Sequence, residues 1–148
     1  MNNQFDHEKL DGYRLELEFI AWVTPLLDEA AQAPKGRTRE VIDQLDRASL
    51  SALLNTAEGN GKRQRPVRAK FFDDARGSAT ECAACLDALV AKGVFTAERV
   101  EPGKALLLRI VSILSKLVNL YSQEEGLRED PVDYRATPSA PAISQPVQ

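Results

Sequence analysis

Few residues in this sequence are of a type that does chemistry, and their spacing narrows the choice further. Cys82 and Cys85 form a C-x-x-C pair, the spacing of a redox dithiol or of half a zinc site. Redox pairs sit at a helix N-terminus, where the dipole lowers the thiol pKa, whereas these two fall in the middle of an expected helix. Zinc needs two more ligands, and the only histidine, His7, lies far off in the N-terminal segment. The pair therefore reads as two small core residues. Gly59-Asn60-Gly61-Lys62 has the glycines and lysine of a phosphate loop. It lacks the full G-x-x-x-x-G-K-[ST] pattern and a preceding strand. His7 has no acid–base partner, no Ser-His-Asp set assembles, and the Glu-x-x-His pairs of di-iron bundles are absent. No catalytic, cofactor or metal site is assigned, and the chain is expected to be non-enzymatic.

One cluster remains that could bind rather than react. Lys62, Arg63, Arg65, Arg68 and Lys70 place five cations within nine residues with no acid among them. Residues 35–76 hold ten cations against six acids, while the whole chain carries a formal charge of −3. A basic segment thus stands on an acidic body. Phosphate contacts from it would give sequence-independent, salt-sensitive affinity for nucleic acid such as RNA. The plainer reading is a solvated turn, because no aromatic interleaves the cluster to stack bases.

The elements that carry these residues are helices. The 148 residues include 19 Ala and 18 Leu against 10 Val and 5 Ile, so helix formers outnumber the β-branched residues of strands. Periodicity predicts helices over about Glu8–Gln32, Thr38–Glu58, Pro66–Lys92 and Glu98–Glu125. Pro25 should kink the first. Thr38 should cap the second, and Gly59 and Gly61 should end it through left-handed geometry. Pro66 suits a first helical turn, and Gly93 closes the third helix. Pro102 and Gly103 belong to the first turns of the fourth helix or delay its start. Short connections between long helices give an antiparallel up-down four-helix bundle over residues 8–125. Residues 1–7 are expected to be a flexible N-terminus, and residues 126–148, rich in Pro, a disordered tail. The N-terminus lacks the apolar run of a signal peptide, and Leu106–Tyr121 is too short and too polar for a membrane span. A cytoplasmic protein is expected, with its cysteines reduced.

Helix four carries a main stripe of Leu106, Ile110, Ile113, Leu117 and Leu120, and a second of Leu107, Val111, Leu114, Val118 and Tyr121. Helix one is doubled in the same way, with Tyr13, Leu17, Ile20, Leu27 and Ala31 beside Leu15, Phe19, Trp22, Val23, Leu26 and Ala30. Such width means either a broad core face or an oligomer interface built by helices one and four. Two polar ladders run along helices two and three: Arg47, Ser51, Asn55 and Glu58, and Lys70, Asp73, Gly77 and Glu81. A turn centred near Gln64 would pair Arg47 with Glu81, Ser51 with Gly77, Asn55 with Asp73 and Glu58 with Lys70. The ladders read either as a site or as a network that sets helix alignment.

Two blocks carry a resemblance. Gln44-Leu45-Asp46-Arg47-Ala48-Ser49-Leu50-Ser51, continuing through Asn55-Thr56-Ala57-Glu58-Gly59-Asn60-Gly61, resembles the helix-two motif of the 23S rRNA intervening-sequence proteins. Phe71-Phe72-Asp73-Asp74-Ala75-Arg76-Gly77-Ser78-Ala79-Thr80-Glu81 resembles their helix-three motif, which adds Arg76 to the polar set. The resemblance implies a four-helix bundle, a homopentameric ring and no established enzymatic activity. It is similar in fold to the strongly basic accessory proteins of diversity-generating retroelements, from which this acidic chain departs. Thr56 stands where the family usually has Ile. Two functions follow as expectations: a homo-oligomeric scaffold that binds RNA through the helix two–three turn, or an adaptor that recruits a protein partner.

Overall fold

A computed structural model describes residues 3–33 and 37–129, with side chains described over 11–33 and 37–122. Four helices, α1 (Asn3–Ala31), α2 (Arg39–Asn60), α3 (Arg65–Ala91) and α4 (Ala97–Glu129), account for nearly all of it, and no strand occurs among the described residues. α1 begins at Asn3 rather than Glu8, and α4 runs on to Glu129, so both helices exceed the bounds read from periodicity. Extending an existing helix costs far less than nucleating one. The remainder of the expected tail, residues 130–148, lies outside the described residues.

Local chemistry sets the ends. Thr38 occupies the N-cap of α2 by position, yet its side chain makes no capping bond; its carbonyl accepts from Ile42 N–H at 2.9 Å. Gly61 ends α2 in right-handed geometry (φ −90°), so the expected left-handed stop is absent there. It appears instead at Gly93 (φ 79°). Gly93 N–H donates to Val90 O at 2.9 Å and Val94 N–H to Leu89 O at 3.0 Å, the paired bonds of a Schellman close. Gln64 caps α3 in extended geometry, with proline in the first turn where its missing N–H costs nothing. Thr96 Oγ1 accepts from Arg99 N–H at 3.2 Å at the start of α4. Pro25 lies inside α1, and Thr24 Oγ1 donates to Ile20 O at 2.7 Å in the turn that Pro25 deprives of a backbone bond.

α1 packs against α2 and α4, and α3 packs against the same two helices; among the described residues the backbones of α1 and α3, and of α2 and α4, lie diagonally apart. The centre is filled by Leu15, Phe19 and Leu26 of α1, Leu45 of α2, Phe72, Leu86 and Leu89 of α3, and Ile110, Leu114, Leu117 and Tyr121 of α4. Both stripes of α4 supply this core: Ile110 and Leu117 come from one, Leu107, Leu114 and Tyr121 from the other. Leu106, Val111, Ile113, Val118 and Leu120 are only half-buried, so the core of one chain does not use the full width of that face. On α1, Tyr13 and Leu17 remain exposed. Two glycines lie directly against aromatic side chains of a neighbouring helix. A Cβ on Gly59 would lie 3.0 Å from Phe71 Cβ, and one on Gly103 would lie 2.2 Å from Trp22 Cζ3. Gly59 is thus a contact residue within α2 rather than its terminator.

Candidate functional site

The α2–α3 turn is the strongest candidate in the sequence, and its five cations divide into separate roles. Arg68 turns inward, donating from Nε to Lys62 O and from Nη1 to Tyr121 Oη at 2.7 Å. Its guanidinium lies 5.2 Å from the centre of the Tyr121 ring, and that of Arg65 lies 4.7 Å from it. Tyr121 is fully buried against Phe72, so these two arginines cover the last core aromatic of α4. Lys62 pairs with Glu58 at 3.4 Å and lies over Phe71 at 5.3 Å; Lys70 pairs with Asp74 at 3.1 Å. Arg63 is exposed and makes no ion pair among the described residues. The cluster is therefore not five equivalent, outward cations. Arg63 and Lys70 are the ones best placed to meet a phosphate. The missed partner, Tyr121, is 53 residues from Arg68, and no local pattern announces it.

The polar ladders converge in a groove of about 500 Å³ between α2 and α3, lined by Gln44, Arg47, Ser51, Asn55, Ser78 and Glu81 among others. Arg47 and Glu81 share it but are joined through Gln44. Arg47 Nη2 donates to Gln44 Oε1 at 2.7 Å, and Gln44 Nε2 donates to Glu81. Ser51 meets Ser78 at 2.9 Å rather than Gly77, and Asn55 Nδ2 folds back to donate to Ser51 O at 3.0 Å. Asp73 accepts from Arg76, which also reaches Ser115 Oγ of α4 at 3.3 Å, while Glu58 and Lys70 take other partners. The expected pairs of Asn55 with Asp73 and Glu58 with Lys70 are replaced by contacts between residues three or four apart in sequence. Side-chain reach, not residue position alone, decides which groups meet across the seam. Gly77 is exposed, and a methyl added there would meet nothing within 4 Å, so it permits no close backbone contact.

Sequence reasoning also missed Glu16. It is 2% exposed, accepts a bond from Thr56 Oγ1 at 2.7 Å, and its Oε1 has no hydrogen-bond partner. Burial pushes its carboxyl up to about 8, and the Thr56 bond opposes that rise. The polar residue at position 56 thus has a polar neighbour across the α1–α2 seam.

Cys82 and Cys85 are buried free thiols. Burial, then the neighbouring Cys85, pushes Cys82 up to about 12, and burial also raises Cys85, so neither supplies thiolate at neutral pH. Among the described residues no group of three or more His, Cys, Asp or Glu side chains could hold a metal. α4 between Ala97 and Ser122 is long and apolar enough to cross a membrane by length and composition, beyond the shorter apolar stretch read from sequence. In the bundle its Val100, Leu107, Ile110, Leu114, Leu117 and Tyr121 are core residues.

Residues 8–116 match the family model described as 23S rRNA-intervening sequence protein. No curated protein matches the chain.

Proposed function

The chain belongs to the 23S rRNA-intervening sequence protein family, and we propose that it acts as a non-enzymatic cytoplasmic scaffold, an antiparallel up-down bundle that assembles with copies of itself into a homopentameric ring. The opposed order of contacts along α2 and α3, Gln44 with Glu81, Ser51 with Ser78 and Gly59 against Phe71, supports the antiparallel arrangement. The observation that carries self-assembly is a set of large apolar side chains left outside the core: Tyr13 and Leu17 on α1, and Leu50 and Leu54 on α2. Exposed apolar surface of this kind is characteristic of contact faces. Leu108 on α4 belongs to the same exposed set, so the proposed contact faces keep α1 and α4 and add α2. Light scattering at micromolar concentration should find an oligomer, and Leu50→Glu with Leu54→Glu should shift it to monomer. A wild-type monomer under those conditions rejects the reading.

RNA contact is a second reading, favoured by the outward placement of Arg63 and Lys70. A mobility-shift titration with structured rRNA fragments at low salt tests it. Ala at Arg63 and Lys70 should weaken binding and reduce its salt slope. Binding that ignores both substitutions removes it.

A further inference from the structure

We propose that residues 124–133, the acidic end of α4 and the stretch that follows it, dock on the basic α2–α3 turn of the same chain and occupy cations that would otherwise meet a polyanion. The order of contacts along α3 and α4 sets the two within reach. Asp87 meets Lys104, Arg76 meets Ser115 and Arg68 meets Tyr121, so approaching the start of α3 means approaching the end of α4. Tyr121 is already level with Arg65 and Arg68 in the first turn of α3. From there α4 runs on to Glu129, roughly 12 Å of helix, which carries it past the start of α3 to the level of the turn. Glu124 and Glu125 follow Tyr121 at i+3 and i+4 and so share its face of the helix.

Charge selects the occupant. Residues 124–133 hold Glu124, Glu125, Glu129, Asp130 and Asp133 against Arg128 alone, while Lys62, Arg63, Arg65, Arg68 and Lys70 stand together without an acid between them. Each group also sits at the helix end whose dipole disfavours it. α3 has no acid in its first turn and carries Arg65 and Arg68 there, beside the partial positive charge of a helix N-terminus. α4 ends among carboxylates, beside the partial negative charge of a helix C-terminus. Bringing the two ends together offsets both. α4 stops two residues before Pro131, whose missing N–H cannot continue a helix, and Asp130 and Asp133 flank that break. Arg63, exposed and without an ion pair among the described residues, and Lys70, with its side chain 72% exposed, are the cations open to them. Surface ion pairs are individually weak, but a segment of the same chain is held at high effective concentration, so several weak pairs suffice. The consequence for RNA rests on the RNA reading given above, whereas the contact itself does not.

The test uses the full chain as a mixture of isotope-labelled and unlabelled protein. Carbodiimide, which joins lysine amines to carboxylates in direct contact, should link Lys62 or Lys70 to an acid of residues 124–133 within one chain. The links should form at low salt and fade at high salt. Lys62 with Glu58 and Lys70 with Asp74 are the internal standards. Links only between labelled and unlabelled chains, or none where the standards react, overturn the proposal. A second measurement titrates a labelled oligouridylate at low salt. The variant Glu124→Gln, Glu125→Gln, Asp130→Asn, Asp133→Asn should bind it about three- to tenfold tighter than wild type, with the gap closing as salt rises. The variant Asp28→Asn, Asp43→Asn, Glu98→Gln, Glu101→Gln removes the same charge from exposed positions elsewhere and should stay within about twofold of wild type. Equal gains in both variants overturn the proposal, since net charge alone would then explain them. If no form binds the oligouridylate, the RNA reading fails and the intrachain links alone decide the contact.

Discussion

α2 and α4 stand across the bundle from each other and meet the same two neighbours by different chemistry. The buried residues of α2 are Leu45, Ala48, Ser49, Ala52, Thr56 and Gly59, mostly small, and its seams carry Thr56 to Glu16, Gln44 to Glu81 and Ser51 to Ser78. α4 contributes Leu107, Ile110, Leu114, Leu117 and Tyr121 to the core. Apolar area removed from water is the main favourable term in folding, whereas a hydrogen bond adds only about 1 kcal/mol net. α4 therefore supplies more of the cohesion than α2, and α2 supplies alignment. The difference shows that two helices of one bundle need not share the work equally.

This division of labour is most vulnerable at the core. Leu114→Ala should cost about 2–5 kcal/mol in urea unfolding, since it opens a cavity among fully buried neighbours. Next in size is Glu16→Gln, which acts through pH. The Glu16 carboxyl titrates near 8 when folded against an ordinary 4.5, so the native state holds a proton that the unfolded chain releases. Stability should fall as pH rises from about 4.5 through about 8, by a few kcal/mol in all. The Gln variant should lose that decline; an unchanged pH profile would show that Glu16 is not the cause. Gly103→Ala should cost about 1–3 kcal/mol, because the new methyl forces the Trp22 ring aside. Ser51→Ala should cost about 1 kcal/mol, and a loss as large as that of Leu114→Ala would erase the division between α2 and α4. Smallest is Gly77→Ala, which should stabilise by up to about 1 kcal/mol, because the position is helical and open. Thermal melts resolve both of these smaller effects.

Much of the fold can be read from local rules. The four helices follow from periodicity, Pro66 opens α3, and Gly93 closes it with the left-handed turn that glycine favours. Gly59 misleads because the same residue type serves a turn or a close contact, and only the presence of Phe71 and Phe72 across the seam decides between them. The doubled stripe on α4 is equally ambiguous, since two neighbours in one chain or one neighbour and a second copy both require it. At the candidate site, the basic run is plain in the sequence but its inward half is not. Arg65 and Arg68 are drawn in by a tyrosine contributed by a different helix. Gln44 and Ser78 sit within one turn of residues already singled out, yet side-chain reach decides that they, not Asp73 or Gly77, bridge the seam. Glu16 has no signature at all, because a single acid at the edge of an apolar stripe looks like surface.

The clamp of Arg68 on Tyr121 also bears on the order of folding. Most contacts in a helical bundle are between neighbours in sequence, and these form quickly. This one spans 53 residues and joins the first turn of α3 to the far part of α4, so its loop-closure entropy is met only once α3 and α4 have docked. Tyr121→Phe, which removes the hydroxyl and keeps the ring, should therefore accelerate unfolding while leaving the refolding rate nearly unchanged. The last arginines of the basic run would then act as a latch that governs how long the folded bundle persists rather than how fast it forms.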